Sequence, residues 1–224
     1  RATLLGGKDV VVKIRRPGII ETMREDTENV IELVAFLDSI GIDTGTGANN
    51  YVLMESVENL MKECDYENEV VNAVQFRRNF KKVPWLKVPK VYRKLSGSDA
   101  IVMEYVASEK LGEITDPRVN KKNVARALMR AYVMQTMHHG LFHADPHPGN
   151  IGFRTTNGGQ LVFFDFGLCI PLSNELKEGL FDAVVPLMTR DSKAVVEILT
   201  RLGMIVPTTD AGDIEIFFDL IINY

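Results

Sequence analysis

The sequence is poor in cysteine, has no long apolar run and carries no excess of positive charge. Its two cysteines, Cys64 and Cys169, lie too far apart for a metal or redox motif, and two are too few for a disulfide framework. No apolar run approaches the roughly 18 to 20 residues of a membrane-spanning helix. With 26 basic and 30 acidic residues, the net charge of −4 argues against a nucleic-acid partner. These absences favour a reducing compartment and leave phosphate-bearing small ligands open.

The composition, 46% apolar and 25% charged, is that of a globular protein with a substantial core. Strand patterns near the front followed by helical patterns predict an α+β protein with two lobes. We place a β-rich small lobe at 1–105 and an α-helical large lobe at 106–224. The sequence opens directly in a strand pattern and stops inside an apolar periodic segment. We therefore expect a fragment of a longer protein, with the small lobe truncated at its N-terminus.

Hydrophobic periodicity predicts the main elements of these lobes. The β-branched run Val10–Ile14 predicts a strand, preceded by a hairpin turn at its glycine pair. Apolar residues at helical spacing predict helices over 21–38 and 54–80. Another helix is expected from a cap near Asn120 to Gly140. The segments "NIGFR" and "QLVFFDFG" flank the turn "TNGG" and predict a hairpin, and a further helix is expected from near Ser173.

The stretch "HADPHPGN", at 143–150, packs two histidines, an aspartate and an asparagine around two prolines and a glycine. Proline fixes φ and removes an amide donor, so this stretch can form neither a regular helix nor a central strand. It predicts a loop of defined shape. Polar groups on such a loop are candidates for function.

Five polar residues occur in an order that fits phosphoryl transfer. That chemistry needs a lysine for the phosphates, carboxylates for Mg²⁺ and a base for the incoming hydroxyl. Lys13 lies in an apolar strand and Glu69 on the following long helix. Asp145 and Asn150 lie five positions apart on the loop, and Asp165 begins an Asp-Phe-Gly triplet. This order is that of the protein kinases.

Each of these parts is weak evidence by itself. A lysine in a strand usually faces solvent, and a glutamate on a long helix is usually a solvated charge. An Asp-Phe-Gly turn needs no ligand to explain it. The conjunction of all the parts in the correct order favours a site over coincidence.

Four stretches together carry a resemblance to a known family: "VVVKIRRPG" at 10–18, "ECDYENE" at 63–69, "HADPHPGN" and "FFDFG". In this order they resemble the UbiB family of atypical kinase-like proteins, the aarF-domain family, over essentially the whole chain. The resemblance implies a bilobal protein-kinase-like fold with ATP and Mg²⁺ as cofactors. It also implies a link to isoprenoid-quinone or other lipid metabolism, with peripheral association at membranes of bacteria, mitochondria or plastids.

The resemblance also implies roles for individual residues. Lys13 resembles the phosphate-contacting lysine, and Glu69 resembles its ion-pair partner. Asp145 resembles the catalytic-loop aspartate, whereas Asn150 and Asp165 resemble the Mg²⁺ ligands.

Further positions follow from the same resemblance. Glu104 and Val106 fall where the hinge between the lobes is expected and would contact the nucleotide. Positions that match the family's E-x-D signature and its loop signature are Glu63, Asp65, His143 and His147. The alanine-rich phosphate loop and the Lys-x-Gly-Gln extension of the family are absent from residues 1–224, and we expect both upstream. The "GLF" before the loop resembles the bacterial and plastid branches more than the mitochondrial one.

Helical geometry limits how "ECDYENE" can face a site. Residues two apart on a helix point about 200° from each other, whereas residues four apart share a face. On a regular helix Glu63 and Asp65 therefore cannot both face a nucleotide, but Asp65 and Glu69 can. The competing interpretation is that Glu63, Glu67 and Glu69 form a solvated acidic face.

The loop histidines make a metallohydrolase a competing interpretation. His143 and His147 flank Asp145 at a spacing that could ligate a transition metal. The other histidines, His138 and His139, fall in the last turn of the preceding helix. We therefore expect His143 to brace the loop backbone and His147 to form a structural hydrogen bond or contact the metal-site carboxylates.

Two other functions remain open alongside a UbiB-type enzyme. Choline-kinase and aminoglycoside-kinase phosphotransferases carry a similar loop, but the full Asp-Phe-Gly and "ECDYENE" argue against them. A nucleotide-binding pseudokinase scaffold would keep the same residues. There is no A-P-E motif, and only a short segment separates Gly167 from Ser173, which leaves little room for an activation loop. We therefore favour a lipid or other small-molecule substrate, or ATP hydrolysis, over a peptide substrate.

Overall fold

The computed structural model describes residues 1–42, 61–62 and 64–205. The chain divides into two compact units. The first comprises Arg1–Ala127 with His143–Cys169, and the second comprises Leu128–Phe142 with Ile170–Tyr224. The described residues of the expected phosphoryl-transfer site all belong to the first unit. The lobe boundary between residues 105 and 106 stays a prediction.

Within the described residues the strands are β1 (Ala2–Thr3), β2 (Asp9–Ile14), β3 (Leu86–Lys87), β4 (Ala100–Glu104), β5 (Glu109–Lys110), β6 (Leu141–His143), β7 (Ile151–Arg154), β8 (Gln160–Phe163) and β9 (Cys169–Pro171). The α-helices are α1 (Ile19–Ser39), α2 (Tyr66–Asn79), α3 (Lys121–Met134), α4 (Asn174–Asp182), α5 (Val184–Thr189) and α6 (Ser192–Arg201). A π-helical segment, Gln135–His139, continues α3.

The first sheet forms around the glycine pair near the N-terminus. β2 is its central strand and pairs antiparallel with β1 and with β4. Gly7 adopts a left-handed φ of 76°, which glycine tolerates best, and this confirms the predicted hairpin. The register places Lys13 opposite Ile101, while Val10 and Ile101 are buried. Lys13 is therefore held on a strand that is paired on both sides.

The second sheet has the order β3-β8-β7-β5, and it brings the loop and the Asp-Phe-Gly segment together. β7 and β8 form the predicted antiparallel hairpin, with Ile151 opposite Phe163. The loop ends just before Ile151, and the Asp-Phe-Gly segment begins just after Phe163. Both segments therefore lie at the same end of the hairpin, where the Phe164 N–H donates to the Asn150 carbonyl at 3.0 Å.

The helix predicted over 21–38 is confirmed as α1, but the helix predicted over 54–80 is not continuous. Met61 and Lys62 are helical, and α2 begins only at Tyr66. Between them Asp65 has non-helical dihedrals, φ −86° and ψ 84°. Its carboxylate accepts from the Asn68 N–H at 3.0 Å and caps α2. Residues 54–60 lie outside the described part of the chain.

Three predicted helix ends are confirmed by their caps. The Asn120 side chain accepts hydrogen bonds from two amides in the first turn of α3. In the second unit, Gly140 ends the π-helical segment with a left-handed φ of 66°. Ser173 accepts from the Leu176 N–H at 3.0 Å and begins α4.

The core of the first unit contains an aromatic cluster around Phe76 of α2. The Phe76 ring centroid lies 5.2–6.0 Å from the centroids of four rings, those of Phe80, His143, Phe163 and Phe166. All five side chains are buried. Because they come from α2, the loop, β8 and the Asp-Phe-Gly triplet, this cluster fixes the segments that carry the candidate site.

Gly152 of β7 lies where a side chain has no room. A Cβ atom there would lie 2.7 Å from Phe164 Cε2, 2.9 Å from Ser108 Oγ and 3.0 Å from the Glu109 carbonyl oxygen. Because one of these neighbours is backbone and cannot rotate away, we expect Gly152→Ala to lower the free energy of unfolding by about 1–3 kcal/mol. Chemical denaturation measures this change.

Gly97→Ala is the matched control. A Cβ at Gly97 would meet nothing within 4 Å, and the backbone there is not left-handed. The control should shift the free energy of unfolding by less than about 0.5 kcal/mol. Equal effects of the two substitutions would contradict the close packing at Gly152.

Candidate active site

Lys13 contacts two carboxylates that come from distant parts of the sequence. Its Nζ lies 2.8 Å from Glu69 Oε2 and 2.9 Å from Asp165 Oδ2. Lys13 comes from β2, Glu69 from the first turn of α2, and Asp165 from the segment after β8. Glu69 is only 1% exposed. The fold therefore brings together three residues whose sequence order indicated phosphoryl transfer.

The three charges sit in unequal environments. Burial raises the pKa of Glu69, and the charge of Asp165 raises it further against the opposing effect of Lys13. Burial would also raise the pKa of Asp165, but the charge and hydrogen bond of Lys13 outweigh it and hold that pKa below its ordinary value. Burial would lower the pKa of Lys13, yet the two carboxylates overcome this and raise it. Lys13 is thus a cation at neutral pH, and Glu69 is the carboxylate that takes up a proton more readily.

The loop is closed by hydrogen bonds among its own residues. Asn150 donates through Nδ2 to Asp145 Oδ2. The Asn150 N–H donates to the His147 carbonyl at 2.9 Å, and the Gly149 N–H donates to His147 Nδ1 at 3.0 Å. These contacts orient the Asp145 carboxylate beside the Asn150 amide.

A cavity of about 410 Å³ opens over these groups. Its polar lining consists of Lys13, Asp145, Asn150 and Asp165. Its less polar lining consists of Ile19, Met23, Cys64 and Leu168. Two cavities of the same unit are larger, about 660 and 600 Å³, but contain none of the four polar groups. Chemistry rather than size therefore marks this cavity as the candidate active site.

Buried side chains hold the backbone of the Asp-Phe-Gly segment. His143 donates through Nε2 to the Asp165 carbonyl at 2.6 Å, and Asn72 donates through Nδ2 to the Phe166 carbonyl at 3.0 Å. The Gly167 N–H donates to Asp165 Oδ1 at 3.0 Å. Burial lowers the pKa of His143, so its ring is neutral at pH 7. His143 therefore supports the backbone of Asp165 through a hydrogen bond to its carbonyl oxygen.

Sequence reasoning missed two residues of this site. Asn72 lies three residues after Glu69 on the buried side of α2, and the Tyr66 ring centroid lies 5.1 Å from Lys13 Nζ. An aromatic face at this distance attracts a cation. The available signal was helical spacing, because residues three apart on a helix are neighbours.

The expected hinge residues lie apart from the cavity. Val106 is buried, while Glu104 binds the Lys87 ammonium at 2.7 Å and accepts from the Lys90 N–H at 3.0 Å. Neither is among the described residues that line the cavity. With the Glu104 carboxylate already bonded, a nucleotide contact here would use backbone groups, and it stays a prediction.

The argument that Asp65 and Glu69 share a helical face is wrong, because α2 begins after Asp65. The Asp65 carboxylate is used as a helix cap. The competing interpretation of a solvated acidic face is wrong for Glu69, which is buried, and holds for Glu67, which is exposed. Glu63 lies outside the described residues.

Residues 1–199 match the model of the ABC1 atypical kinase-like domain. The chain belongs to this ABC1 family. The resemblance to the UbiB and aarF-domain proteins is thereby confirmed, and so is the α+β, bilobal protein-kinase-like fold class.

Named relatives agree with this assignment. The chain is 33% identical to the protein Activity of bc1 complex kinase 8, chloroplastic, of Arabidopsis thaliana, over 92% of this chain and 28% of that protein. It is 32% identical to aarF domain-containing kinase 1 of Drosophila melanogaster, over 91% of this chain and 40% of that protein. The ABC1 chain therefore spans less than half the length of these relatives.

A solved structure shares the fold. It is the complex of a Mycobacterium tuberculosis protein with erythromycin, with a TM-score of 0.64 and 21% identity. The match covers 92% of this chain and 51% of that chain. At this identity the likeness concerns the fold alone.

The donor atoms in the ABC1 cavity suit Mg²⁺. Asp145, Asn150 and Asp165 offer carboxylate and amide oxygens, which Mg²⁺ prefers over nitrogen and sulfur. In the described part of the chain, no group of three or more His, Cys, Asp or Glu residues is arranged to hold a metal ion. Mg²⁺ usually binds one or two carboxylates and completes its coordination with phosphate and water, which these oxygens would allow.

Because burial disfavours the ionised form of Glu69 and raises its pKa, the free energy of unfolding should depend on pH through this residue. A group whose folded pKa lies above its unfolded value, here 4.5, stabilises the fold fully below 4.5 and loses this contribution as the pH rises through the folded pKa. We therefore expect the stability of wild type relative to Glu69→Gln to increase as the pH falls from neutral toward 4.5. Thermal denaturation across this range measures it.

Glu67→Gln provides the control, because Glu67 lies on the same helix but is exposed. Its pH profile should follow that of wild type. If the stability of wild type relative to Glu69→Gln instead decreased as the pH falls, the raised pKa of buried Glu69 would be contradicted.

Proposed function

We propose that this ABC1 chain is the catalytic part of an atypical kinase or ATPase that uses ATP and Mg²⁺. The proposal is carried by Lys13, which pairs with the buried Glu69 and with Asp165, and which lines one cavity together with Asp145, Asn150 and Asp165. Phosphoryl transfer depends mainly on positioning and on charge, and these residues supply both. Relatives that are named kinases support the same chemistry.

Each of the five residues would act on a different part of the reactants. Lys13 would bind the phosphates of ATP, while Glu69 fixes its direction. Asp165 and Asn150 would hold Mg²⁺, which neutralises phosphate charge when bound. Asp145 would accept a proton from the attacking hydroxyl, or from water in the case of hydrolysis. Its carboxylate is already oriented by the Asn150 amide.

The acceptor in this proposal is a lipid or another small molecule, with isoprenoid-quinone metabolism as the leading pathway. Between Gly167 and the start of α4 at Asn174 the chain forms the short strand β9 and a cap. This segment supplies little of the extended surface on which protein kinases place a peptide. The alternative is a phosphotransferase of the choline-kinase or aminoglycoside-kinase type, which the His-Pro-Gly-Asn form of the loop favours.

The proposal includes the positions that lie away from the cavity. The lobes would meet near residues 105 and 106, with the backbone of Glu104 and Val106 against the base of ATP. Glu63 and Asp65 would face a family extension outside residues 1–224. The bonded Glu104 side chain and the exposed position of Asp65 are compatible with these roles.

We infer a plastid or cyanobacterial-type setting with peripheral membrane association. Relatives from Arabidopsis thaliana carry the word chloroplastic in their names, and other relatives come from Synechocystis. Among the helices of the described residues, none is long and apolar enough to cross a membrane. Partners would be the nucleotide and components of a lipid or quinone pathway, and not nucleic acid.

The decisive substitution is Asp145→Asn, which keeps the size of the side chain and the loop's shape but removes the base. We expect ATP-dependent phosphate release by the full-length protein to fall by about 10² to 10⁴, the usual contribution of a positioned base. A phosphate-release assay at saturating ATP and Mg²⁺ measures it.

Asp26→Asn, on the exposed surface of α1, is the control and should keep the wild-type rate. Equal rates for Asp145→Asn and wild type would reject catalysis at this loop. Nucleotide binding without turnover in any variant would instead point to a pseudokinase scaffold.

A further inference from the structure

Two buried residues of α2 face the Asp-Phe-Gly segment. Glu69 and Asn72 lie three positions apart, on one side of the helix, and are 1% and 8% exposed. Glu69 pairs with Lys13 at 2.8 Å. Asn72 donates to the Phe166 carbonyl at 3.0 Å. One helix therefore carries both the carboxylate that binds Lys13 and the amide that holds the backbone next to Asp165.

The neighbouring carbonyl is held from another direction. His143 donates to the Asp165 carbonyl at 2.6 Å, so two successive carbonyls are fixed by side chains from two elements. The carboxylate of Asp165 is fixed as well, by Lys13 at Oδ2 and by the Gly167 N–H at Oδ1. Loss of the Asn72 hydrogen bond would remove one of these restraints, the one on the Phe166 carbonyl next to Asp165.

We propose that Asn72 is a positioning residue that, through the Phe166 carbonyl, sets the placement of the Asp165 carboxylate and thereby the affinity for Mg²⁺. The metal part of this inference rests on the proposed function, whereas the backbone contact does not. Asn72 acts through Phe166 and touches no reacting atom.

The buried Phe166 carbonyl favours the position in which Asn72 donates to it, because a buried acceptor left without a donor is unfavourable. This hydrogen bond therefore restrains the peptide next to the Asp165 carboxylate, and its loss would let that carboxylate depart from the position in which it would bind Mg²⁺.

The test uses the full-length protein with Asn72→Leu, which keeps the branched skeleton of the side chain but removes the donor, and with Asn72→Ala, which adds no bulk if the first variant fails to fold. Asn68→Leu is the matched control, because Asn68 lies on the exposed side of the same helix. ADP affinity is measured by calorimetry across a Mg²⁺ titration and in excess chelator.

We expect both Asn72 variants to raise the Mg²⁺ concentration for half-maximal tightening of ADP binding by about tenfold, which is the loss of one well-placed hydrogen bond. ADP affinity in chelator should change by less than about twofold. Asn68→Leu should match wild type in both conditions. An unchanged Mg²⁺ midpoint, or an equal loss of ADP affinity with and without Mg²⁺, would overturn the proposal and leave Asn72 as a packing residue.

Hydrogen exchange of the same proteins separates this inference from the proposed function. Amides at 166–168 should exchange faster in the Asn72 variants than in wild type or Asn68→Leu, while amides of α4 stay unchanged. If wild type binds no MgADP, the proposed function fails, and exchange at 166–168 decides the role of Asn72 alone. Unchanged exchange there would reject it.

Discussion

The bridge from Lys13 to Glu69 and Asp165 is the contact on which the site depends. It forms only if β2, α2 and the segment after β8 converge at one point. Burying Glu69 removes its carboxylate from water, which disfavours the ionised form and raises its pKa. Because of this desolvation penalty, the ion pair is weak evidence for a role in the stability of the fold. A buried carboxylate paired with a lysine that lines a cavity beside Asp145 and Asn150 is typical of a functional site.

The aromatic cluster around Phe76 explains how the convergence is maintained. Helix α2, the loop, β8 and the Asp-Phe-Gly triplet each place a ring in this cluster, whereas Lys13 reaches the site from the first sheet. His143 belongs to both systems, because its ring packs among the phenylalanines while its Nε2 holds the Asp165 backbone. Apolar packing and backbone hydrogen bonds thus fix the positions of the polar groups. The contacts among these polar groups themselves contribute little to the stability of the fold.

The sequence predicted the parts of this site that depend on order and periodicity. A β-branched run predicted the strand of Lys13, and helical spacing predicted α1. Two strand-like segments around a glycine turn predicted the hairpin of β7 and β8, and the prolines predicted the shaped loop. The start of α2 was not predicted, because helical spacing of apolar residues runs through this segment of the sequence and only the cap hydrogen bond of Asp65 reveals the interruption. Asn72 and Tyr66 were missed for a different reason, since their partners are 94 residues and 53 residues away in sequence and meet only through the fold. The Glu104 carboxylate binds the Lys87 ammonium, and no local sequence pattern specifies this pairing.

The central claim is that Lys13 and the adjoining carboxylates form a Mg²⁺-dependent ATP site. The most direct measurement is calorimetric titration of ATP into the full-length protein, with and without Mg²⁺, for wild type and Lys13→Met. The account predicts binding that requires Mg²⁺ in wild type and is at least about tenfold weaker in Lys13→Met. Equal affinity of the two proteins, or affinity indifferent to Mg²⁺, would contradict it.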